Sequence, residues 1–345
     1  MKKKNPTVSI IIANFNGEAY LQTCLESVLK TAYDNFDVIV VDDGSADNSK
    51  QIIKKIAAKN KKITVLINTH NIGLSRSRNR AIEASKSDIL VFLDNDTQVT
   101  QSWIKNINKV LLSQDSVGGV QSKLIEFDQR TRIQLIGTKL IPYTGWSVPL
   151  GKGAKKERFT RPMKIIGIGA AFAVKREVIQ TIGVFDRYMV YFNEDLDYSW
   201  RIWIAGWKVL LAPDSIVYHW TKSPNMRKNT NSTLEKIYYN MCRNSTRSML
   251  KNYQLQSLLY YFPINLFILF ARAILVLVRR KDISSLKGTV RSLYWNLTHI
   301  SDTLIERQKI QNVRKLSDAY LYNEIMVEGS LKHVYEKYFS QTRLL

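Results

Sequence analysis

Two carboxylates stand in the short loop Asp94-Asn95-Asp96, directly after the apolar run Ile89 to Leu93. Like charges in one tight loop repel unless a cation lies between them. Oxygen ligands of this kind suit a hard divalent ion, Mg²⁺ or Mn²⁺, which keeps several waters and also binds phosphates. A second acidic group occurs in Asn193-Glu194-Asp195-Leu196-Asp197. Asn193 is a good helix cap, which puts Glu194 and Asp195 in a first turn where the helix dipole favours negative charge. That local role suffices for Glu194. Asp197 has Arg201 four residues on, the spacing of an ion pair on one helix face. Asp195 has no such partner nearby, and a carboxylate fixed at a helix start is well placed to accept a proton from a substrate hydroxyl. His219, one of four histidines, most simply ends a strand as a hydrogen-bonded core residue. A neutral imidazole would also complete the shell of an ion held by Asp94 and Asp96.

The elements that must position these groups are legible in the hydropathy pattern. Apolar runs at Val8 to Ala13, Phe36 to Val41, Ile63 to Ile67 and Ile89 to Leu93 alternate with helix-periodic stretches such as Tyr20 to Leu29 and Ser49 to Ala58. Runs apolar on both sides are strands buried on both faces, so the pattern predicts an α/β fold with a mostly parallel sheet flanked by helices. Ligands gather at the carboxyl ends of such strands. There stand Asn14-Phe15-Asn16-Gly17, Asp42-Asp43-Gly44-Ser45, Asn68 to Gly73 and Asp94-Asn95-Asp96. Taken singly, Asp-Gly and Asn-Gly are ordinary turn formers; together they set acid and amide groups along one edge. Downstream, Gly167 to Val174 predicts a strand of small residues and Lys175 onward a short helix.

Composition narrows the function classes. The 345 residues carry a formal charge of +22, with 45% hydrophobic and 10% aromatic residues, which excludes a disordered tail and a disulfide scaffold. Cys24 and Cys242 read as reduced thiols, and the apolar stretch behind the basic amino terminus is too short for a signal-peptide core, so no export is expected. No P-loop occurs, and the nearest match to the dinucleotide fingerprint, Gly167-Ile168-Gly169-Ala170-Ala171-Phe172, has Phe where a third small residue belongs. The charge is local: Arg130 to Lys164 and Arg243 to Arg291 each carry nine basic residues and one acidic one. Such segments attract polyanions, whether nucleic acid, anionic lipid or phosphorylated substrate.

In this order and spacing, the motifs from Val8 to Trp220 resemble the inverting family 2 glycosyltransferases of GT-A fold, in particular the rhamnosyltransferase-like branch. The resemblance rests on Val8 to Gly17, Val40 to Ser45, Asn71 to Ala81 with Arg78-Asn79, Asp94-Asn95-Asp96, Gly167 to Arg176, Gly183-Val184-Phe185-Asp186, and Asn193 to Asp197 with His219 downstream. It implies that Ala13, Phe15 and Asp43 receive the base of a nucleotide-sugar donor, with Arg78 near it. It further implies that Asp94 and Asp96 form a D-x-D element binding ribose and Mn²⁺ or Mg²⁺ with His219 as third ligand, that Gly169, Ala170 and Glu194 line the acceptor and sugar side, and that Asp195 is the catalytic base. In one departure, Asn193 stands between Phe192 and the Glu-Asp pair, where this branch often has an aromatic residue. The implied enzyme transfers a sugar to a hydroxyl of a glycan, lipid-linked on this reading, in surface polysaccharide or glycoconjugate synthesis. The rivals are a basic nucleic-acid-binding protein and a catalytically silent nucleotide-binding member of the same fold. The carboxylates at the strand ends speak against the first, and nucleic acid is not an expected partner.

The division expected is a GT-A catalytic domain over 1–225, with a nucleotide-sugar half at 1–125 and an acceptor half at 126–225, followed by a helical region over 226–345. Within the acceptor half, Arg130 to Lys164 reads as a mobile basic loop able to close over diphosphate groups. In the helical region, Ser257 to Val278 holds a single charge, Arg272. With Pro263 as a helix start, Asn265, Arg272 and Arg279 form a narrow polar stripe, expected to face water and headgroups on a helix of about 257–281 lying in the membrane interface. A span would bury Arg272 near mid-membrane, at a cost of about 2.5 kcal/mol or more. Ile283, Leu286, Val290, Leu293, Leu297, Ile300 and Leu304 mark an amphipathic helix expected to pack on the catalytic domain or on a second subunit of a homo-oligomer. The expected location is the cytoplasmic face of the cell membrane, against an anionic surface.

Overall fold

A computed structural model describes residues 5–220, 231–329 and 331; the expected boundary at 225 and the end of the helical region lie outside them. Four strands build one half of the central sheet: β1 (Val8–Asn14), β2 (Phe36–Asp42), β3 (Ile63–Ile67) and β4 (Ile89–Asp94). They pair in parallel in the order β3-β2-β1-β4, with Ile11 opposite both Ile39 and Phe92. Helices α1 (Glu18–Leu29), α2 (Ser49–Ala57) and α3 (Leu74–Ala84) make the crossovers. Because β1, β2 and β4 are covered on both faces, their side chains alternate between two apolar cores. Ile10, Ile12 and Val91 pack with α1 residues on one side, and Ile11, Val41 and Phe92 with α3 residues on the other.

The sheet continues past β4 through β10 (Ala171–Lys175), β6 (Val117–Glu126), β11 (Lys208–His219) and β5 (Thr97–Val99), and β7 (Ile133–Leu135) pairs with β6. Strand β10 is antiparallel to both neighbours and stands between the parallel half and β6. It is shorter than the run Gly167 to Val174 suggests, because Ala170 takes φ 37°, outside the extended region. Helices α4 (Trp103–Leu111), α5 (Arg176–Ile182) and α6 (Glu194–Ile204) complete the layers.

Three expectations are corrected. The segment Arg130 to Lys164 is no free loop. It forms β7 and the hairpin β8 (Thr138–Ile141) and β9 (Trp146–Pro149), because its apolar positions Ile133, Ile136, Leu140, Ile141 and Val148 are buried between the Gly and Pro turns. The long apolar helix, α8 (Leu255–Arg280), starts two turns before Pro263, which sits inside it. Two of the three residues of its polar stripe turn toward the protein, for Asn265 is fully buried and the Arg272 guanidinium lies 4.6 Å from the Trp146 ring, whereas Arg279 is exposed. The following helix, α9 (Ser284–Thr298), is likewise turned opposite to expectation. It buries Ser285, Gly288, Thr289, Ser292 and Asn296 and leaves Val290 and Leu297 exposed.

These two helices flank α7 (Asn231–Asn252), and α10 (Ile300–Asn312) and α11 (Asp318–Ile325) follow. Helix α7 is fastened to the catalytic layer by buried charges. Asp197 of α6 accepts from Arg201 Nε (3.0 Å), as its spacing predicted, and also from Lys251 Nζ (3.2 Å) and Asn252 Nδ2 (3.0 Å) of α7. Asp186 accepts from Arg247 Nε (2.7 Å) and Lys251 Nζ (2.5 Å). Burial opposes the charge on Asp186, but the two cations outweigh it and hold its carboxyl far below the ordinary range.

Candidate active site

The residues singled out at the strand ends meet in one cleft at the carboxyl edge of β1, β2 and β4. At the end of β1, Asn14 is buried and donates through Nδ2 to Asp42 Oδ1 (3.1 Å), while its Oδ1 accepts from Asn95 (2.7 Å). Gly17 is required here, because a Cβ would lie 2.2 Å from both Asn14 Oδ1 and Asn95 Nδ2. Phe15, by contrast, is 48% exposed, an aromatic face left open beside partly buried Ala13. Asp43 is buried, and its oxygens accept from Asn68 Nδ2 (2.7 Å) and from the backbone amides of Ile72 and Gly73 (both 2.9 Å). It therefore holds the loop leading into α3 in place, with about one lone pair left for a ligand.

Asp94, Asp96 and His219 come together although 125 residues separate the first from the last; one ligand atom from each lies within 4.8 Å of the others. The sheet explains this, because β11 ends antiparallel to β5, with His219 opposite Thr97. His219 Nε2 is 3.1 Å from Asp96 Oδ1, and Nδ1 is 2.7 Å from Gln134 Oε1. Since an amide oxygen only accepts, Nδ1 carries the proton in that contact, and in the neutral ring the lone pair of Nε2 faces the two carboxylates. Burial pushes the imidazole pKa down, but the hydrogen bond to Asp96 and the charges of Asp96 and Asp94 raise it on balance. Two carboxylates and one imidazole at this spacing fit a divalent cation of the Mn²⁺ or Mg²⁺ kind.

Arg78, expected near a nucleotide base, has two carboxylate partners that the sequence does not reveal. It is buried on α3 and bridges the two acidic groups, donating from Nη2 to Asp94 Oδ1 (3.0 Å) and from Nη1 to Asp195 Oδ1 (2.6 Å). Asp195 thus has a partner that sequence spacing does not reveal. Burial raises the Asp195 pKa against the lowering charge of Arg78, to about 6. Its neighbour Glu194 is pushed up further, to about 8, by burial and by the Asp195 charge. Glu194 Oε2 is buried without a hydrogen-bond partner among the described residues, as suits a neutral carboxyl. The other oxygen of Asp195, Oδ2, lies beside Gly169: a Cβ there would be 4.0 Å from it and 3.7 Å from Leu135 Cδ2. The Ala170 carbonyl accepts from the Asp94 amide (2.7 Å), and the Gly169 amide donates to Gln121 (2.8 Å).

The turn that delivers Asp195 is strained. Phe192 and Asn193 adopt φ 68° and 66°, a left-handed pair without glycine. Asn193 gives α6 no side-chain cap bond, contrary to its expected role, because this backbone points its amide to Ser248 Oγ (3.0 Å). Helix α7 holds the turn: Asn244 Nδ2 donates to the carbonyls of Tyr191 (2.8 Å) and Phe192 (2.7 Å). Sequence reasoning missed Asn244, Ser248 and Gln134. The repeat Asn244, Ser248, Asn252 along α7 is the one signal that marks a buried polar stripe.

Comparisons with known proteins bear on the family and the fold. The family model described as Glycosyl transferase family 2 matches residues 9–183. Glycosyltransferase AglE of Haloferax volcanii is 25% identical over 217 residues, 62% of this chain and 67% of that protein. An uncharacterized glycosyltransferase of Haemophilus influenzae is 35% identical over 107 residues, 31% of this chain, and the match spans only 43% of that relative. Among solved structures, GalNAc-T7 with UDP, GalNAc and Mn²⁺ superposes with a TM-score of 0.62 at 18% identity, over 93% of this chain and 57% of that one. The mannosyltransferase PcManGT of Pyrobaculum calidifontis, in complex with GDP-Man and Mn²⁺, gives 0.54 at 14% identity, over 97% and 89%. The fold is that of the GT-A glycosyltransferases, with a helical region appended.

Proposed function

This chain belongs to glycosyl transferase family 2, and from that premise we propose that it is a metal-dependent inverting transferase moving a sugar from a nucleoside-diphosphate donor to a hydroxyl of a lipid-linked glycan. The observation that carries the reading is the Asp94–Arg78–Asp195 bridge. It links a carboxylate of raised pKa to the cation-binding triad through one buried guanidinium. Phe15 offers a stacking face to the base of the nucleotide, beside Ala13 and the Asp43-held loop. Asp94, Asp96 and His219 would hold Mn²⁺ or Mg²⁺, which would offset the negative charge developing on the diphosphate. The acceptor hydroxyl enters past Gly169 and Ala170, with Glu194 lining its side, and gives its proton to Asp195 Oδ2 as it attacks the anomeric carbon. Attack opposite the leaving group is a single displacement with inversion, as in inverting glycosidases, and needs no covalent enzyme intermediate.

A lipid-linked substrate is supported by the long, largely exposed apolar helix α8 that adjoins the catalytic layer, and the cytoplasmic face of a membrane is the location we propose. The basic segments do not form a continuous track for nucleic acid, since Arg247 and Lys251 are buried in ion pairs. The test is a thermal-shift screen of UDP-, dTDP- and GDP-sugars with and without Mn²⁺, followed by determination of the product anomer. A ligand that binds only the folded state raises the midpoint. Metal-dependent stabilisation by one donor and an inverted product are expected; no response to any donor, or a retained anomer, refutes the proposal.

A further inference from the structure

The polar and small residues of α9, namely Ser285, Gly288, Thr289, Ser292 and Asn296, face the protein, and Asn265 of α8 does the same. The approach is close enough to demand small side chains, for a Cβ on Gly288 would lie 2.7 Å from the Glu235 carbonyl oxygen of α7. The outward faces are apolar instead: Leu259, Phe267 and Val278 on α8 are 69–74% exposed, and Tyr294 and Leu297 on α9 are 68% and 70% exposed. Both helices rest on α7, where Tyr238 and Cys242 form one cluster with Leu269, Val276 and Leu293, so their outward faces are directed away from the same support. A helix in water buries its apolar face. Here large apolar side chains of both helices stay exposed, although Leu269 and Val276 of α8 and Leu293 of α9 pack inward.

We infer that the outward faces of α8 and α9 together form a surface that lies in the interfacial layer of an anionic lipid bilayer, with α8 parallel to the membrane plane and not crossing it. This deepens the membrane-associated reading given above and identifies its surface. Charge complementarity selects the occupant. Arg279, Arg280, Lys281 and Lys287 are exposed in the stretch that leads from α8 into α9, where Asp282 is the one acid; Arg291 is exposed as well but pairs with Glu235 of α7. An isologous contact with a second copy would set this basic stretch against itself, whereas anionic headgroups complement it. Orientation follows from the inner face of α8. Leu258 and Tyr261 near its start pack on the main core, Leu269 and Val276 pack on α7, and Arg272 stacks on Trp146 of β9. A spanning α8 would carry β9 and α7 into the hydrocarbon with it, where exposed backbone and polar groups have no partners.

The test uses the full chain and flotation with vesicles of phosphatidylcholine alone or mixed with phosphatidylglycerol, in the absence of any nucleotide. The wild type is expected to float with the mixed vesicles and about tenfold more weakly with the neutral ones. Phe267→Glu and Leu297→Glu, both at exposed positions, should each lower flotation about tenfold or more while keeping the wild-type unfolding midpoint. Loss through Phe267→Glu alone, with Leu297→Glu floating normally, removes α9 and overturns the inference. A wild type that fails to float, or a solution dimer that these substitutions dissociate, overturns it in favour of a second copy. Environment-sensitive labels on cysteines introduced at Leu259, Phe267 and Val278, whose ends lie about 28 Å apart along the helix, should all report shallow depth. A deep Phe267 between two shallow ends would establish a span and refute the flat orientation. Flotation and donor binding are read separately, so a chain that floats without binding a nucleotide-sugar keeps the surface and loses the glycosyltransfer reading, and the converse result does the opposite.

Discussion

Replacing Asp195 by Asn tests the centre of the mechanism. The substitution keeps the shape and an oxygen able to accept from Arg78 Nη1, now 2.6 Å from Oδ1, but the amide cannot take a proton at the Oδ2 position beside Gly169. Loss of a general base typically lowers turnover about 10²- to 10⁴-fold, or about 3–5 kcal/mol of barrier. Asp94, Asp96 and His219 are untouched, so the stabilisation by donor and Mn²⁺ should persist. The wild-type pH profile supplies an independent check. Only ionised Asp195 accepts the proton, and its pKa is raised from 3.8 to about 6 by burial. With that midpoint, about a tenth of the plateau rate remains one pH unit below it. A bound cation adds positive charge near Asp94 and draws the midpoint down, so the acid limb of kcat in the loaded enzyme should fall between 3.8 and about 6. The assay is release of nucleoside diphosphate from the donor identified by thermal shift. Turnover in Asp195→Asn within a few-fold of wild type, or a wild-type rate still rising well above pH 6, would refute the assignment.

Other outcomes follow from the same contacts. Mn²⁺ binding requires a neutral imidazole, and the His219 pKa is raised above 6.5, so affinity measured calorimetrically should weaken on acidification from a higher pH than an ordinary histidine would give; His219→Ala should bind less tightly and lose most of that dependence. Burial raises the folded pKa of Glu194 to about 8, so at pH 7 folding must protonate it, a cost Gln does not carry, and Glu194→Gln should raise the unfolding free energy there. Its folded pKa of about 8 lies above the unfolded 4.5, so the stability associated with its neutral form is present below 4.5 and lost as pH rises through about 8; chemical denaturation across that window should show a smaller loss in the variant. Asp197→Ala leaves Lys251 and Arg201 short of a buried partner and should destabilise by about 3–5 kcal/mol in urea unfolding. Asn244→Ala removes the two hydrogen bonds on the strained Tyr191–Phe192 turn; kcat should fall more than KM rises, with donor stabilisation retained.

Much of the fold was legible because strands buried on both faces must be apolar throughout. The runs Val8 to Ala13, Phe36 to Val41, Ile63 to Ile67 and Ile89 to Leu93 coincide with β1 to β4 to within one residue at either end. The acidic loop at Asp94 to Asp96 was legible for the same reason, since the end of a buried strand marks the ligand-bearing edge. Short strands are less visible: β7, β8 and β9 carry three or four residues each, too few for a period to emerge from a basic, Gly- and Pro-punctuated segment.

By itself the sequence determined which residue types could do chemistry, which runs had to be buried, and that α8 and α9 each carry two contrasting faces. Tertiary structure alone decided which face turns inward and which distant groups meet. Periodicity fixes the angle between an apolar and a polar stripe but not the direction of either, and in α9 the close approach of Gly288 to α7 turns the small and polar side inward. The Arg78 bridge between Asp94 and Asp195 spans 117 residues in one contact and 16 in the other. Contacts of that kind depend on how the layers stack, because a side chain reaches only a few ångströms while the chain between the partners is free to run anywhere.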